Sequence, residues 1–279
     1  MPSPTTTTPP RRCLVALMLT GAAAPALAQV QSTATYRLTF ESVWSASTHP
    51  TAFPPDPHYS PLVGATHNSG ATLWEAGALA SPGIERMAET GSTTILRSEI
   101  DGLAATGVIG QSLLGGPMRL SPGQISMDFE TDAGFPLLSL VTMIAPSPDW
   151  FVGTQSLSLR DDDGWIERIE FDLWPYDSGT DSGASYTSPN QDTQPPEPIA
   201  RIASAFPFTG TPALGTFTIE LLDVSCTADF DGDGELSIFD FLAFQNDFDA
   251  GAPAADLDGD GSLTIFDFLA FQNLFDLGC

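Results

Sequence analysis

Two stretches of this chain repeat a pattern of carboxylates that could hold a hard cation. In "DFDGDGELSIFD", Asp229, Asp231 and Asp233 stand at positions 1, 3 and 5 of a twelve-residue calcium loop, with Gly234 at the sharp turn of position 6. Glu235 would offer its backbone carbonyl at position 7, Ser237 stands at 9 and Asp240 closes the loop at 12. In "DLDGDGSLTIFD", 27 residues on, Asp256, Asp258, Asp260, Gly261, Ser262, Thr264 and Asp267 fall at the same offsets. Calcium takes six to eight oxygens at about 2.3–2.6 Å, and three aspartates on one tight turn repel one another without it. Position 12 is Asp in both copies, a shorter ligand than the usual Glu, so the following helix must come closer or the ligand be monodentate.

Neither "DVSCTA" nor "DAGAPAA", the residues ahead of the two loops, is long enough for an entering helix, so each copy reads as loop then helix. On those helices Ile238, Phe241, Phe244 and Phe248 form one stripe, and Ile265, Phe268, Phe271 and Phe275 form its counterpart. The two stripes are expected to pack together. Phe239, Leu242, Phe266 and Leu269 extend the apolar surface to a second face, more than so small a module can hide. Two such units resemble a dockerin, a calcium module related by a pseudo-twofold axis, over residues 226–279. In that family the residues flanking position 12 contact a cohesin; the resemblance carries this role to Ile238, Phe239, Ile265 and Phe266. Cys226 and Cys279 bracket the segment, and in an oxidising compartment such a pair forms a disulfide contributing about 4 kcal/mol.

The composition agrees with cation binding. There are 35 acidic residues against 9 basic ones, a net charge of −26, and every basic residue is Arg. A chain so acidic repels phosphate backbones, which excludes nucleic acid as a partner. Arg11 and Arg12 precede the apolar run "CLVALMLTGAAAPALA", and Ala26-Leu27-Ala28 is a cleavage site before Gln29. Residues 1–28 therefore read as a signal peptide, with Sec and twin-arginine export both open, and the mature chain as secreted or cell-surface associated. Cys13 opens the apolar run rather than ending it, against a lipid anchor, and no other stretch could span a bilayer.

Residues 29–225 read as a β domain. "TYRLTFESV" sets Tyr36, Leu38 and Phe40 on one face, "WIERIEFDLW" sets Ile166, Ile169, Phe171 and Leu173 largely inward, and "GTFTIELLDV" supplies a last strand. "LLSLVTMIA" is continuously apolar, as a buried central strand is. Turn clusters rich in Gly, Pro and Asp separate them, so the expected fold is mainly β, an antiparallel β-sandwich, with a helix over "GIERMAETG" and a Pro-rich loop at 188–199.

Five phrases in this region, "YRLTFESVWSASTHP", "HYSPLVGATHN", "LWEAGALASPGIERMAETG", "APSPDWFVG" and "PYDSGTDSGASYTSPN", resemble the spondin domain of extracellular matrix proteins. That resemblance implies a sandwich similar in shape to C2 domains, an adhesive role toward an extracellular ligand, and a calcium ion held by loops at one end. Residue by residue it implies Asp149, Asp177 and Asp181 as ligands, with Glu130 as a fourth and Asp132 as its competitor. Three ions are thus expected in all. The chain departs from animal relatives in having no cysteine inside the sandwich and no thrombospondin-type repeat.

Catalysis finds little support. His49, His58 and His67 lie nine apart but in no H-x-x-x-H pattern, and are expected to fix turns. No G-x-S-x-G elbow, P-loop or H-E-x-x-H occurs. The expectation is a calcium-binding adhesion protein without enzymatic activity, tethered by its C-terminal module; the alternative is a polysaccharide-degrading component of a dockerin-bearing system.

Overall fold

The β-forming segments alternate apolar and polar residues, and a strand so patterned must bury one face. The computed structural model describes residues 32–162 and 164–277. The signal-peptide reading of residues 1–28, Asp163 and Cys279 fall outside the described residues.

Twelve strands and four helices follow one another: β1 (Thr33–Ser42), β2 (His58–His67), α1 (Pro82–Thr90), α2 (Thr94–Ala104), β3 (Ile109–Met118), β4 (Gly123–Asp132), β5 (Leu137–Ala145), β6 (Trp150–Ser158), β7 (Arg160–Asp161), β8 (Gly164–Trp165), β9 (Arg168–Leu173), β10 (Tyr176–Asp177), β11 (Ala200–Arg201), β12 (Gly215–Ser225), α3 (Ile238–Ala250) and α4 (Ile265–Leu277). One sheet has the order β4-β1-β12-β9 and a second the order β11-β10-β6-β5-β2-β3, with β7 and β8 as a separate hairpin. The pairings of the two large sheets are antiparallel.

The two large sheets pack face to face. Tyr36, Leu38 and Phe40 of β1 and Phe217 and Ile219 of β12 meet Tyr59 of β2, Leu138 and Leu140 of β5 and Val152 of β6 in one buried cluster. Phe40 lies edge-on to both Tyr59 and Phe217, at 4.8 and 5.4 Å between ring centres. A second cluster forms on the other side of the six-stranded sheet, where Val63, Val141, Met143 and Phe151 meet Ile84 and Met87 of α1 and Leu96 and Ile100 of α2. β5 is therefore covered on both faces, which explains its unbroken apolar run. Close pairing of β2 with β5 within the sheet also fixes Gly64: a Cβ there would lie 2.0 Å from the Ser139 carbonyl oxygen on β5.

The helix expected over "GIERMAETG" is α1, capped by the Ser81 side chain, which accepts from the Ile84 N–H, and closed by Gly91 at φ 70°. α2 was not anticipated. In the "WIERIEFDLW" segment, Ile169, Phe171 and Leu173 point inward on β9 as expected, but the chain breaks between β8 and β9, so Ile166 belongs to neither strand.

The C-terminal helices have their own apolar cluster, with Phe244, Phe271, Ala228 and Ala255 buried at its centre. Phe244 stacks on Phe271 at 4.5 Å with planes 9° apart, and Phe241 meets Phe268 edge-on at 5.6 Å. Each pair joins equivalent positions of the two repeats, which is what a local twofold axis produces. One part of the expected stripe is corrected: Ile238 and Ile265 sit on the first helical turn and are 62% and 63% exposed, because the core is filled by the phenylalanines one turn further on.

Candidate metal centres

In the first loop, Asp229, Asp231 and Asp233 each bring a carboxylate oxygen within 4.8 Å of the others; Asp256, Asp258 and Asp260 do the same in the second. Glycine makes this possible, since Gly234 and Gly261 take φ of 85° and 82°, values that L side chains resist. Gly234 then donates its N–H to Asp229 Oδ2 at 2.9 Å, and Gly261 to Asp256 Oδ2 at 2.9 Å. Asp256 Oδ1 is buried with no hydrogen-bond partner, an oxygen that a cation would satisfy.

The closing aspartates are fully buried. Asp240 accepts from the Asp231 N–H at 3.3 Å and the Ser237 N–H at 2.7 Å; Asp267 accepts from Leu257, Asp258 and Thr264 N–H groups at 2.9, 3.3 and 2.7 Å. Both carboxylates thus lie against their own loops despite being one carbon shorter than Glu. Ser237 and Thr264 use their hydroxyls as helix caps, accepting from the Phe239 and Phe266 N–H groups at 3.0 and 3.1 Å. Glu235 and Ser262 occupy the exposed turn between, where their N–H groups donate to Asp233 and Asp260 at 2.8 Å.

The charges are held at a cost. Desolvation, and then the charges of Asp233, Asp240 and Asp229, push the Asp231 carboxyl above its ordinary value. Asp258 receives the Asp260 N–H, yet desolvation and three neighbouring aspartates push it up as well. Burial works against ionised Asp240, but the N–H groups of Ser237, Asp231 and Phe230 outweigh it and hold its carboxyl below the usual range.

The sandwich carries a different arrangement. Asp149, between β5 and β6, is fully buried. Its Oδ2 accepts from Ser178 Oγ at 3.0 Å, the Thr180 N–H at 2.9 Å and the Asp181 N–H at 3.1 Å. Its Oδ1 is buried and bare. Burial, followed by the nearby Asp181 charge, pushes the Asp149 carboxyl up. Asp177 is pushed up to about 6, first by burial and then by Asp149; its Oδ1 accepts the Gly179 N–H at 2.8 Å. Asp181 accepts from the Gly183 N–H at 2.7 Å and the Gln191 N–H at 3.1 Å. These three are gathered less tightly than the loop aspartates and do not form a set within 4.8 Å.

Glu130 does not join them. It is exposed on β4, opposite Thr35, and its N–H donates to Gln111 Oε1 at 2.7 Å. β4 leads into β5 at Leu137, beside His67, whereas Asp149 follows the far end of β5, where Ala145 pairs with His58. The nine residues of β5 separate the two ends by about 30 Å. Asp132, with its Oδ1 accepting the Gly134 N–H at 2.8 Å, lies at the Glu130 end too.

Glu89 of α1 is a further carboxylate that interacts with this group. Burial pushes its carboxyl up, Thr180 hydrogen-bonds to it, and the charges of Glu85, Asp181 and Asp149 act on it. One signal in the sequence could have found it. Glu89 stands in the last turn of α1, where the helix dipole disfavours an acid and no basic residue compensates.

The histidines fix turns. Buried His49 bonds Thr48 Oγ1 at 2.9 Å and the Pro212 carbonyl at 3.2 Å, and buried His67 bonds the Asn68 carbonyl and Ser139 Oγ, both at 2.9 Å. Cys226 packs beside the C-terminal cluster, while Cys279 lies outside the described residues. Phe239 and Phe266 are 62% and 59% exposed, beside the exposed Ile238 and Ile265. No helix among the described residues is long and apolar enough to cross a membrane.

The Spondin_N family model matches residues 34–213, a range that holds Glu89, Asp149, Asp177 and Asp181 and stops before both C-terminal loops. Spondin-2 of Homo sapiens is 35% identical over 215 residues, covering 74% of this chain and 65% of that protein. Spondin-1 of Gallus gallus is 39% identical over 179 residues, 62% of this chain but 22% of that protein. The chain thus spans less than two thirds of the length of either relative. With more than half its residues matched by the family model, the chain belongs to the Spondin_N family.

Proposed function

We propose that this is an exported, calcium-loaded adhesion protein whose sandwich contacts an extracellular ligand and whose C-terminal module tethers it to a scaffold or cell surface. The observation that carries the reading is the pair of bare, buried carboxylate oxygens, Asp149 Oδ1 and Asp256 Oδ1, each amid further aspartates. A buried carboxylate oxygen without a partner is costly, and a divalent cation removes that cost. Glu89, Asp149, Asp177 and Asp181 would hold one ion, and the two loops one each; the ions would supply positive charge that ties the loops together.

The loop-helix repeat with its local twofold supports a dockerin-like module, for which a cohesin-like protein is the partner, and a Cys226–Cys279 disulfide would close it. The test is retention of the mature chain on surfaces coated with purified matrix proteins and polysaccharides. Calcium should promote retention, and a chelator or Asp149→Ala should abolish it, with no ligand turned over. Retention that is indifferent to both would overturn the proposal.

A further inference from the structure

The outer surface of α3 and α4 is apolar at one end. Ile238, Phe239 and Leu242 are 62%, 62% and 46% exposed, and their counterparts Ile265, Phe266 and Leu269 are 63%, 59% and 46% exposed. A soluble protein rarely leaves six large apolar side chains uncovered in one small module. Helical spacing places Gln245 and Asn246, then Asp249, behind the first three along the same side of α3. Gln272, Asn273 and Asp276 follow in the same order on α4. All six of these polar residues are exposed. From Phe239 to Asp249 the stripe runs about 15 Å. Each helix therefore presents an apolar end, an amide middle and a carboxylate end. Beside Ile238 an apolar cleft of ≈ 520 Å³ opens between the helices, lined by Phe241 and Phe268 among others.

Charge decides what can cover this surface. Residues 226–279 contain twelve Asp or Glu and no Lys, Arg or His. Two divalent ions would offset four of those charges and leave −8. A second copy would bring the same sign to the contact, and the chain as a whole carries −26, so self-association is opposed. An anionic bilayer is repelled for the same reason.

We infer that this face docks a protein partner whose contact patch is an apolar anchor flanked by lysine or arginine. The anchor seats against Ile238, Phe239 and the cleft, and the cations reach the carboxylates of Asp249 or Asp276. This rests on the reading of the C-terminal module as a tether and adds the chemistry of what it grips. Attraction between a basic rim and this module speeds encounter and makes it salt-dependent, whereas the apolar anchor governs release.

The test uses the mature chain with calcium and two labelled helical peptides that share one leucine face. One carries lysine on its flanks and the other glutamate, and anisotropy reports binding. The lysine peptide should bind and weaken roughly tenfold when salt is raised from about 0.05 to about 0.5 M. D249N with D276N should weaken it several-fold, and F239S with F266S should abolish it, while helix content measured by circular dichroism stays unchanged in both. The glutamate peptide should not bind. Equal binding of both peptides, lysine-peptide binding indifferent to F239S with F266S, or capture of the chain by phosphatidylcholine vesicles through those phenylalanines would each overturn the proposal. Peptide binding that persists under chelation would instead count against the calcium reading of the loops and leave the docking face standing.

Discussion

At the scale of single residues, Asp149 is divided: one oxygen is saturated by three or more donors and the other has none. Asp149→Asn should weaken calcium at the sandwich site by about tenfold or more, because it removes a charge from the ligand set. Glu89→Gln should do the same at smaller cost to the fold, since the side chain is less buried; equilibrium calcium titration of both variants checks this. Protons compete with the ion. Asp177, pushed to about 6, and the raised Asp149 and Glu89 bind protons more tightly folded than unfolded, where carboxyls titrate near 4. In chelator the contribution of Asp177 to stability is complete below about pH 4 and is lost as the pH rises through about 6, and those of Asp149 and Glu89 are lost in the same direction as their raised carboxyls ionise. Asp128 and Asp240 shift the opposite way, so their contribution changes only below about pH 4. The gain in Tm from calcium should therefore grow between about pH 5 and 7, as melting curves with and without chelator would show. That Asp149, Asp177 and Asp181 come near one another was legible through the resemblance of the phrases that carry them. Glu89 was not, because a helix intervenes, and Glu130 misled because proximity along the chain meant the wrong end of a strand.

At the scale of elements, packing rather than local propensity sets the shape. β5 was readable as a central strand, since only burial on both faces tolerates its composition. α2 was not readable: Thr93 makes no side-chain cap, and Ala105 rather than glycine ends the helix. Its Leu96 and Ile100 become meaningful only beside α1. Gly64→Ala should cost about 3 kcal/mol or prevent folding, because the new Cβ would meet the Ser139 carbonyl at 2.0 Å; denaturant unfolding measures the loss. The C-terminal helices depend on the Phe244–Phe271 stack. Phe244→Ala should lower the stability of that module by about 3 kcal/mol, read as reduced helix signal on heating, while the β signal of the sandwich persists.

At the scale of the whole molecule, acidity unites the chain. The large sheets pack on cores that contain few charges; acidic residues line the outer faces of β1, β4, β9 and β12, and further groups of them gather in the two C-terminal loops and around Asp149. The two loops were legible because nine of their twelve positions are identical in register, and the burial of Asp240 and Asp267 follows from the same spacing. Helical spacing also separated the exposed Phe239 and Phe266 from the packed phenylalanines; less legible were Ile238 and Ile265, which share the packed stripe in sequence but lie outside the core because it closes one turn further on.

Calorimetric titration of the mature chain with calcium bears most directly on the idea that cations organise these carboxylates. Three ions per chain are predicted, falling to two in Asp149→Ala with both loops still loaded. A chain that bound none, and whose melting and helix content were untouched by exhaustive chelation, would contradict the account.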